Sequence, residues 1–341
     1  MAKLSNMENK MDHFLSTTDW SPEEIESLLQ TAAAIKAGKN TANLAGKVMG
    51  MVFLNPSLRT RTSFEAGMYQ LGGHAINLSV GAGMWKLEAK EGVVMDGEAA
   101  EHVKEAVPVL SRYVDVLGVR AFAEGFDWTE DSKDPVLSSF AKYSEVPVIN
   151  MESAIWHPCQ ALADGLTWNE AHLKKNDKIV LTWAYHPRAL PMAVPNSVLV
   201  MAAARGLDVT VLRPNEFALD GEVMEKAASI AKATGGSVDE TDNLEALRGA
   251  KIVYAKSWGS LKAYGNKEGE AALRAQYPHW QVTEEWMQQT ADAKFMHCLP
   301  VRRNVVVSDG VLDSNASIVQ DQAENRLHAQ KALLLKLLAQ K

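Results

Sequence analysis

The sequence predicts an α/β protein of two doubly wound parallel-sheet domains, and three observations carry that expectation. Short apolar runs recur along the chain with helical stretches between them, the order a parallel sheet requires. The runs are apolar almost throughout, as in strands covered on both faces. Residues capable of chemistry stand just after these runs, where open α/β sheets bind their ligands.

Taken in order, Asp19 or Ser21 caps a first amphipathic helix, with Pro22 at its opening position and Glu23 and Glu24 in its first turn. Residues 47–54 form the first strand, and Asn55-Pro56-Ser57 breaks it. Residues 75–78 read as a second strand. The Gly-rich stretch 81–97, which carries Trp85, reads as a long exposed loop. Helical spacing returns at 101–113, and strands follow at 114–119, closed by Arg120, and at 147–150, ending at Glu152.

A second series begins there. Strands are expected at 178–183, 208–212, 252–254 and 294–296, and helices at 198–205 and 222–234. Residues 185–196 form a loop stiffened by three prolines. An amphipathic helix closes the chain over 323–338. The expected division is a first domain at 1–153, a second at 154–322, and a C-terminal segment 323–341 packing back on the first.

Composition narrows the function. A chain of 341 residues with 47% hydrophobic and 23% charged residues is an ordinary globular protein with room for two cores. A net charge of −7 without a long basic run argues against nucleic acid. The polar start, residues 1–14, lacks the apolar centre of a secretory signal. No apolar stretch approaches the roughly 20 residues of a membrane span. Two distant cysteines, Cys159 and Cys298, fit a reducing compartment without a disulfide framework. A cytoplasmic enzyme is expected.

The chain is organised around residues 51–65. After the apolar run, Ser57 is placed to cap a helix whose first turn holds Arg59 and Arg61. Cations are unfavourable at that end, so the arrangement makes sense if a dianion sits there. A phosphate takes the free N–H groups, the hydroxyls of Ser57 and Thr60, and a bidentate guanidinium. The competing reading is a surface helix with two solvated arginines.

Two further strand ends carry unusual residues. His157-Pro158-Cys159-Gln160 offers an imidazole and an amide that suit a small planar amide ligand; otherwise the pair merely caps a helix. Cys159 reads as core filler. His297-Cys298-Leu299-Pro300 suggests a thiolate nucleophile at first sight. No acidic residue follows to orient the histidine, so the better reading has the Cys298 and Leu299 carbonyls accepting from an amine.

These three motifs, in this order and over essentially the whole chain, resemble the carbamoyltransferase superfamily. The resemblance implies that Ser57, Leu58, Arg59 and Thr60 grip carbamoyl phosphate. Arg120 and Arg326 match further phosphate-binding arginines. His157, Pro158, Cys159 and Gln160 would hold the carbamoyl group, and Cys298 and Leu299 the attacking amine. Arg59, Thr60, His157, Gln160, Cys298 and Leu299 are thereby the catalytic set, with no cofactor, no metal and no covalent intermediate. Resemblance also implies a homotrimer whose Trp85 loop reaches the neighbouring active site, and a knot in which residues 256–266 thread the proline-rich loop.

The substrate reading turns on departures from the ornithine pattern. Ornithine enzymes read the α-amino group with an Asp and a Ser-Met-Gly loop, whereas this chain has Tyr254-Ala255-Lys256-Ser257-Trp258-Gly259. A lysine repels a free α-amino group, so the chain is similar to the branch that uses N-acylated ornithine. Glu152, His186, Arg188, Lys256 and Arg302 are the candidates to hold that substrate. Acetyl-type relatives carry Glu at the position of Ala100 and a modified lysine at that of Val306; the succinyl type carries Pro at the former. Ala100 leaves room for a second carboxylate, and Arg188 offers a fork for it. His186-Pro187-Arg188 and the Glu152-to-His157 spacing also look like the succinyl type. The tail AENRLHAQKA resembles the acetyl type. The expectation is transfer to N-succinylornithine in arginine biosynthesis, with N-acetylornithine as the alternative.

Rival classes fare less well. A non-catalytic carbamoyltransferase-like binding protein would need a damaged motif, and a nucleotide-dependent dehydrogenase would need a Gly-rich fingerprint where Asn55-Pro56-Ser57-Leu58 stands. Transfer to aspartate or putrescine is the nearest enzymatic alternative; Lys256 weighs against putrescine.

Overall fold

A computed structural model describes residues 12–39 and 41–339. The polar start at 1–11 and the final two residues of the C-terminal segment lie outside the described residues. In chain order the strands are β1 (Val48–Phe53), β2 (His74–Ser79), β3 (Lys86–Glu88), β4 (Ala99–His102), β5 (Val116–Arg120) and β6 (Val148–Glu152). The series continues with β7 (Lys178–Trp183), β8 (Asp208–Leu212), β9 (Ser237–Thr241), β10 (Ala250–Lys256) and β11 (Lys294–Met296).

Two parallel sheets result, ordered β2-β1-β5-β6 and β11-β10-β7-β8-β9. The chain reverses its direction of travel across each sheet, between β1 and β5 in the first and between β7 and β10 in the second. Such reversals open a crevice at the carboxyl ends of the strands. At the edge of the first sheet, Phe14 bridges Ile149; its N–H donates to Val148 and its carbonyl accepts from Asn150, so the backbone of β6 is paired there.

The first long helix starts by ordinary capping chemistry. Ser21 and Glu24 form a reciprocal capping box ahead of the helix Pro22–Lys36. The helix Pro158–Glu170 lies between the two sheets in sequence, and residues 158–168 are buried all round. The C-terminal helix Val319–Leu338 packs on Pro22–Lys36, Arg59–Gln70 and Pro158–Glu170. Gly67 allows the approach to Arg59–Gln70, since a Cβ there would lie 3.3 Å from the Lys331 side chain. One buried apolar cluster runs from Phe14 and the β1 side chains Met49 and Met51 through both sheets to Leu338.

Several expectations are corrected. The stretch 81–97 is not a loop throughout, because β3 forms within it and pairs in parallel with β4. The helix expected at 198–205 begins earlier and spans Ala193–Ala204. Its Pro195 sits in the first turn, where an N–H has no helical partner to lose. Strand β9 was missed because its sequence is polar and it lies at a sheet edge, largely out of the core. The helix Pro135–Tyr143 was also missed.

Candidate active site

The phosphate-type turn emerges from β1 at the first strand reversal. The helix Arg59–Gln70 follows it, and the Ser57 hydroxyl accepts from the Thr60 N–H at 3.2 Å, so serine caps the turn from one residue outside the expected frame. The two arginines part company. Arg61 turns outward to Glu65 (3.2 Å), whereas Arg59 is half-buried, within the electrostatic reach of Arg120, Glu152 and Cys298. The Leu58 side chain is exposed, so any contribution it makes to a ligand comes from its backbone.

Arg120, ending β5, and Glu152, ending β6, form a buried ion pair. The Arg120 guanidinium also stacks over Phe122 at 4.5 Å. Glu152 Oε2 lies 3.6 Å from His157 Nε2. Burial together with Arg326, Arg120 and Lys256 holds the His157 pKa well below the usual imidazole value, so the ring is neutral. Its Nε2 lies between the Arg326 guanidinium at 3.5 Å and the Glu152 carboxylate, with Nδ1 on the other side of the ring. Among the described residues that buried Nδ1 has no hydrogen-bond partner.

Arg326, from the C-terminal helix, ties the first two motifs together. It donates to Gln160 Oε1 (2.8 Å) and to Thr60 Oγ1 (3.3 Å). Gln160 Nε2 donates in turn to the buried Asp164 Oδ1 (2.9 Å). The Cys159 side chain is fully buried and burial pushes its thiol up to about 12, as core packing would. Pro158 opens the helix, and the His157 N–H donates to Ser197 Oγ at 2.7 Å.

The second sheet supplies the facing wall. Lys256 ends β10 nearly buried, its ammonium donating to the Ser257 carbonyl at 3.0 Å. Its charge helps to lower the pKa values of His157, His186 and His297 and opposes the rise of the Cys298 thiol. At the third motif the His297 ring accepts the Leu299 N–H at 2.9 Å, and Leu299 takes φ +56°. Burial raises the Cys298 thiol pKa, which disfavours a thiolate nucleophile. Neither the Cys298 nor the Leu299 carbonyl accepts a hydrogen bond from the described chain.

The other candidates lie further out. Arg302 Nε donates to His186 Nε2 at 3.0 Å, and His186 Nδ1 meets both the N–H (3.1 Å) and the carbonyl (2.9 Å) of Arg188. Arg188 is exposed and lines a cavity of about 570 Å³ between the two domains, with Phe122, Trp128, Leu190, Met192 and Tyr264. Across it the Gly259 N–H donates to the Leu190 carbonyl (3.0 Å), so the two segments expected to thread one another touch. Val306 is buried in the core. Trp85 and Ala100 stand apart, exposed on the β3–β4 projection, with the Trp85 indole donating to Glu101 at 2.8 Å.

Sequence reasoning missed the layer behind these residues: Asp164, Tyr254 and Gln322, all buried and mutually hydrogen-bonded. One signal was available. Gln160 and Asp164, like Gln322, Arg326 and Gln330, are polar residues repeated every fourth position on otherwise core-facing helices.

Known proteins share this arrangement. Residues 12–170 match the aspartate/ornithine carbamoyltransferase carbamoyl-P binding domain, and residues 191–337 match the Asp/Orn binding domain of the same family. The chain is 50% identical over 336 residues to an N-acetylornithine carbamoyltransferase of Xanthomonas campestris pv. campestris, covering 97% of this chain and 98% of that protein. It is 38% identical over 292 residues to an N-succinylornithine carbamoyltransferase of Bacteroides thetaiotaomicron, covering 86% and 87%. A solved acetylornithine transcarbamylase complexed with acetylcitrulline superposes with a TM-score of 0.94 at 49% identity, covering 96% and 99% of the two chains. A glutamate-to-alanine variant of N-acetyl-L-ornithine transcarbamylase, solved with carbamyl phosphate and N-succinyl-L-norvaline, gives 0.93 at 50% identity, covering 96% and 100%. The chain is a carbamoyltransferase and belongs to the N-acylornithine branch of the aspartate/ornithine carbamoyltransferase family.

Proposed function

We propose that this enzyme transfers the carbamoyl group of carbamoyl phosphate to the δ-amine of an N-acylornithine, with N-succinylornithine preferred. The observation that carries the reading is the grouping of Arg59, Thr60, Arg120, His157 and Gln160 around one crevice, with the Cys298 and Leu299 carbonyls unengaged on its facing wall.

Carbamoyl phosphate binds first, its phosphate on the Ser57–Thr60 turn, Arg59 and Arg120. A dianion competes with Glu152 for Arg120, so binding frees Glu152 to face the second substrate. His157 donates to the carbamoyl oxygen, while Gln160 and the first turn of its helix hold the planar amide. The Cys298 and Leu299 carbonyls then align the neutral δ-amine on the carbamoyl carbon. Arg59, Thr60 and His157 stabilise the oxyanion, the C–O bond to phosphate breaks, and the departing phosphate takes the amine's proton. Positioning and electrostatics supply the rate. Glu152, His186, Arg188, Lys256 and Arg302 hold the acylornithine, and the 570 Å³ cavity beside Arg188 gives its acyl arm space.

The domain allocation follows: residues 1–153 for carbamoyl phosphate, 154–322 for the acylornithine, and the last segment bracing the first. The working unit in this reading is a homotrimer, and the exposure of Trp85 and Ala100 on one projection supports a segment that enters a neighbour's site. At the position matched to Ala100 an acetyl enzyme carries a glutamate that would repel a succinyl carboxylate; alanine removes the repulsion. The solved glutamate-to-alanine variant holds N-succinyl-L-norvaline, in keeping with room for a succinyl group. The 50%-identical relative favours N-acetylornithine as the second reading. Product formation from carbamoyl phosphate with ornithine, acetylornithine and succinylornithine in parallel tests both. Preference for succinylornithine is expected; preference for acetylornithine overturns the acyl assignment, and no product from any acceptor overturns the whole.

A further inference from the structure

One layer behind the two half-sites, the C-terminal helix inserts Gln322 and Arg326 a turn apart. Arg326 serves the donor half through Thr60 and Gln160. Gln322 is fully buried, and its Oε1 accepts the His297 N–H at 3.0 Å. Its Nε2 reaches Asp164 Oδ1 at 2.7 Å and the Tyr254 hydroxyl at 3.0 Å. Asp164 also takes Gln160 Nε2 at 2.9 Å and the Tyr254 hydroxyl at 3.2 Å.

This network gives the amide of Gln322 one orientation. The His297 backbone N–H can only donate, so the amide oxygen must face it and the NH2 group must face Asp164. The turn is thereby held twice: its first N–H by Gln322, and the Leu299 N–H by the His297 ring at 2.9 Å. With both donors engaged inward, the Cys298 and Leu299 carbonyls remain for a donor from elsewhere.

We infer that Gln322 is a positioning residue for the acceptor amine, fixing the turn whose two carbonyls hold it. The inference rests on the carbamoyl-transfer reading above and adds a residue that reading does not use. The carbamoyl phosphate half keeps its own anchors, Arg326 and Asp164, when Gln322 is changed. Loss of Gln322 therefore weakens the acceptor selectively.

The test uses Gln322→Met, which keeps the shape and removes both polar contacts, and Gln322→Glu, which keeps an acceptor for the His297 N–H. In Gln322→Glu the second oxygen meets Asp164, so the two carboxyls must share a proton. The groups facing this site are Asp164 from Pro158–Glu170, Tyr254 from β10, His297 and Cys298 from the turn, and Arg326 from the same helix. Burial pushes Asp164 up to about 7, raises Tyr254 and Cys298 and lowers His297, so the carboxyl pair is the element that changes charge near neutrality.

Gln322→Met should raise the KM for the acylornithine by about tenfold or more and lower kcat, while carbamoyl phosphate Kd, measured by calorimetry without acceptor, stays within about twofold. Gln322→Glu should match the unmodified enzyme near pH 6 and approach Gln322→Met near pH 9, as the shared proton is lost. Should Gln322→Met fail to fold, the pH dependence of Gln322→Glu still decides the matter. Equal changes for both substrates, or a lower Tm with unchanged KM and a flat pH response, would overturn the inference. An unmodified enzyme inert towards every acylornithine overturns the functional reading and takes this inference with it; a working enzyme indifferent to Gln322 counts against Gln322 alone.

Discussion

The crevice at the two strand reversals and the β3–β4 projection are built on opposite principles. In the crevice, Thr60, Gln160 and Arg326 are buried and hydrogen-bonded to one another. On the projection, Trp85 is 58% exposed and Val94 82% exposed, and their elements form a two-stranded piece outside both main sheets. The first region is preorganised by its own chain, which suits electrostatic stabilisation of a reacting centre. The second presents large apolar side chains to its surroundings, which suits contact with another molecule. The crevice is thus complete within the chain, whereas the proposed role of the projection in acyl selectivity requires a second copy of it.

Breaking the preorganised side should have the largest effect. Arg59→Ala removes both phosphate grip and oxyanion stabilisation, and kcat/KM should fall by at least about 3 kcal/mol of transition-state binding, a loss of more than about a hundredfold. Steady-state kinetics with the preferred acceptor measure it. Near-normal turnover would remove the first motif from the site.

On the projection, Ala100→Glu should act on selectivity more than on rate. A new carboxylate within a few Å of the succinyl carboxylate costs about 2–4 kcal/mol at an effective dielectric near 20. The ratio of kcat/KM for succinylornithine over acetylornithine should then fall by roughly two orders of magnitude. An unchanged ratio means that residue 100 does not face the acyl group.

Sharing between subunits predicts a partial rescue. Trp85→Ala and Arg59→Ala chains, each impaired alone, should recover part of the activity when co-assembled, because one sound site forms from two damaged chains. Verified mixed trimers without recovery would assign Trp85 to its own subunit.

How much of this was legible in sequence follows from the same contrast. Arg59, Arg120, Glu152, His157, Lys256 and His297 could be read because each closes or follows an apolar strand, and parallel sheets gather such ends. Asp164 and Gln322 were not read, because their four-residue spacing from Gln160 and Arg326 marks only a shared helix face and acquires meaning from the partners that folding brings to it. The β3–β4 pair was hidden for another reason. Its strands are three and four residues long within a Gly-rich stretch, too short for a periodic pattern to emerge.

The smallest expected effect concerns pH. His157 titrates well below 6.5 because burial and three nearby cations disfavour its protonation. Its loss as a donor–acceptor group on protonation is therefore displaced far to acid, and kcat/KM should show no His157 limb near pH 6.5. The profile between about pH 6 and 9 should instead rise with deprotonation of the acceptor amine. A midpoint near 6.5 that vanishes in His157→Gln would contradict a neutral buried imidazole.

The most direct test of the central claim is a competition. Purified enzyme is given 13C-labelled carbamoyl phosphate with equimolar ornithine, N-acetylornithine and N-succinylornithine, and the labelled products are separated by mass spectrometry. N-succinylcitrulline is expected as the main early product, with N-acetylcitrulline as a minor one and little citrulline. Predominant N-acetylcitrulline would contradict the role given to Ala100, and predominant citrulline would contradict the reading of Lys256.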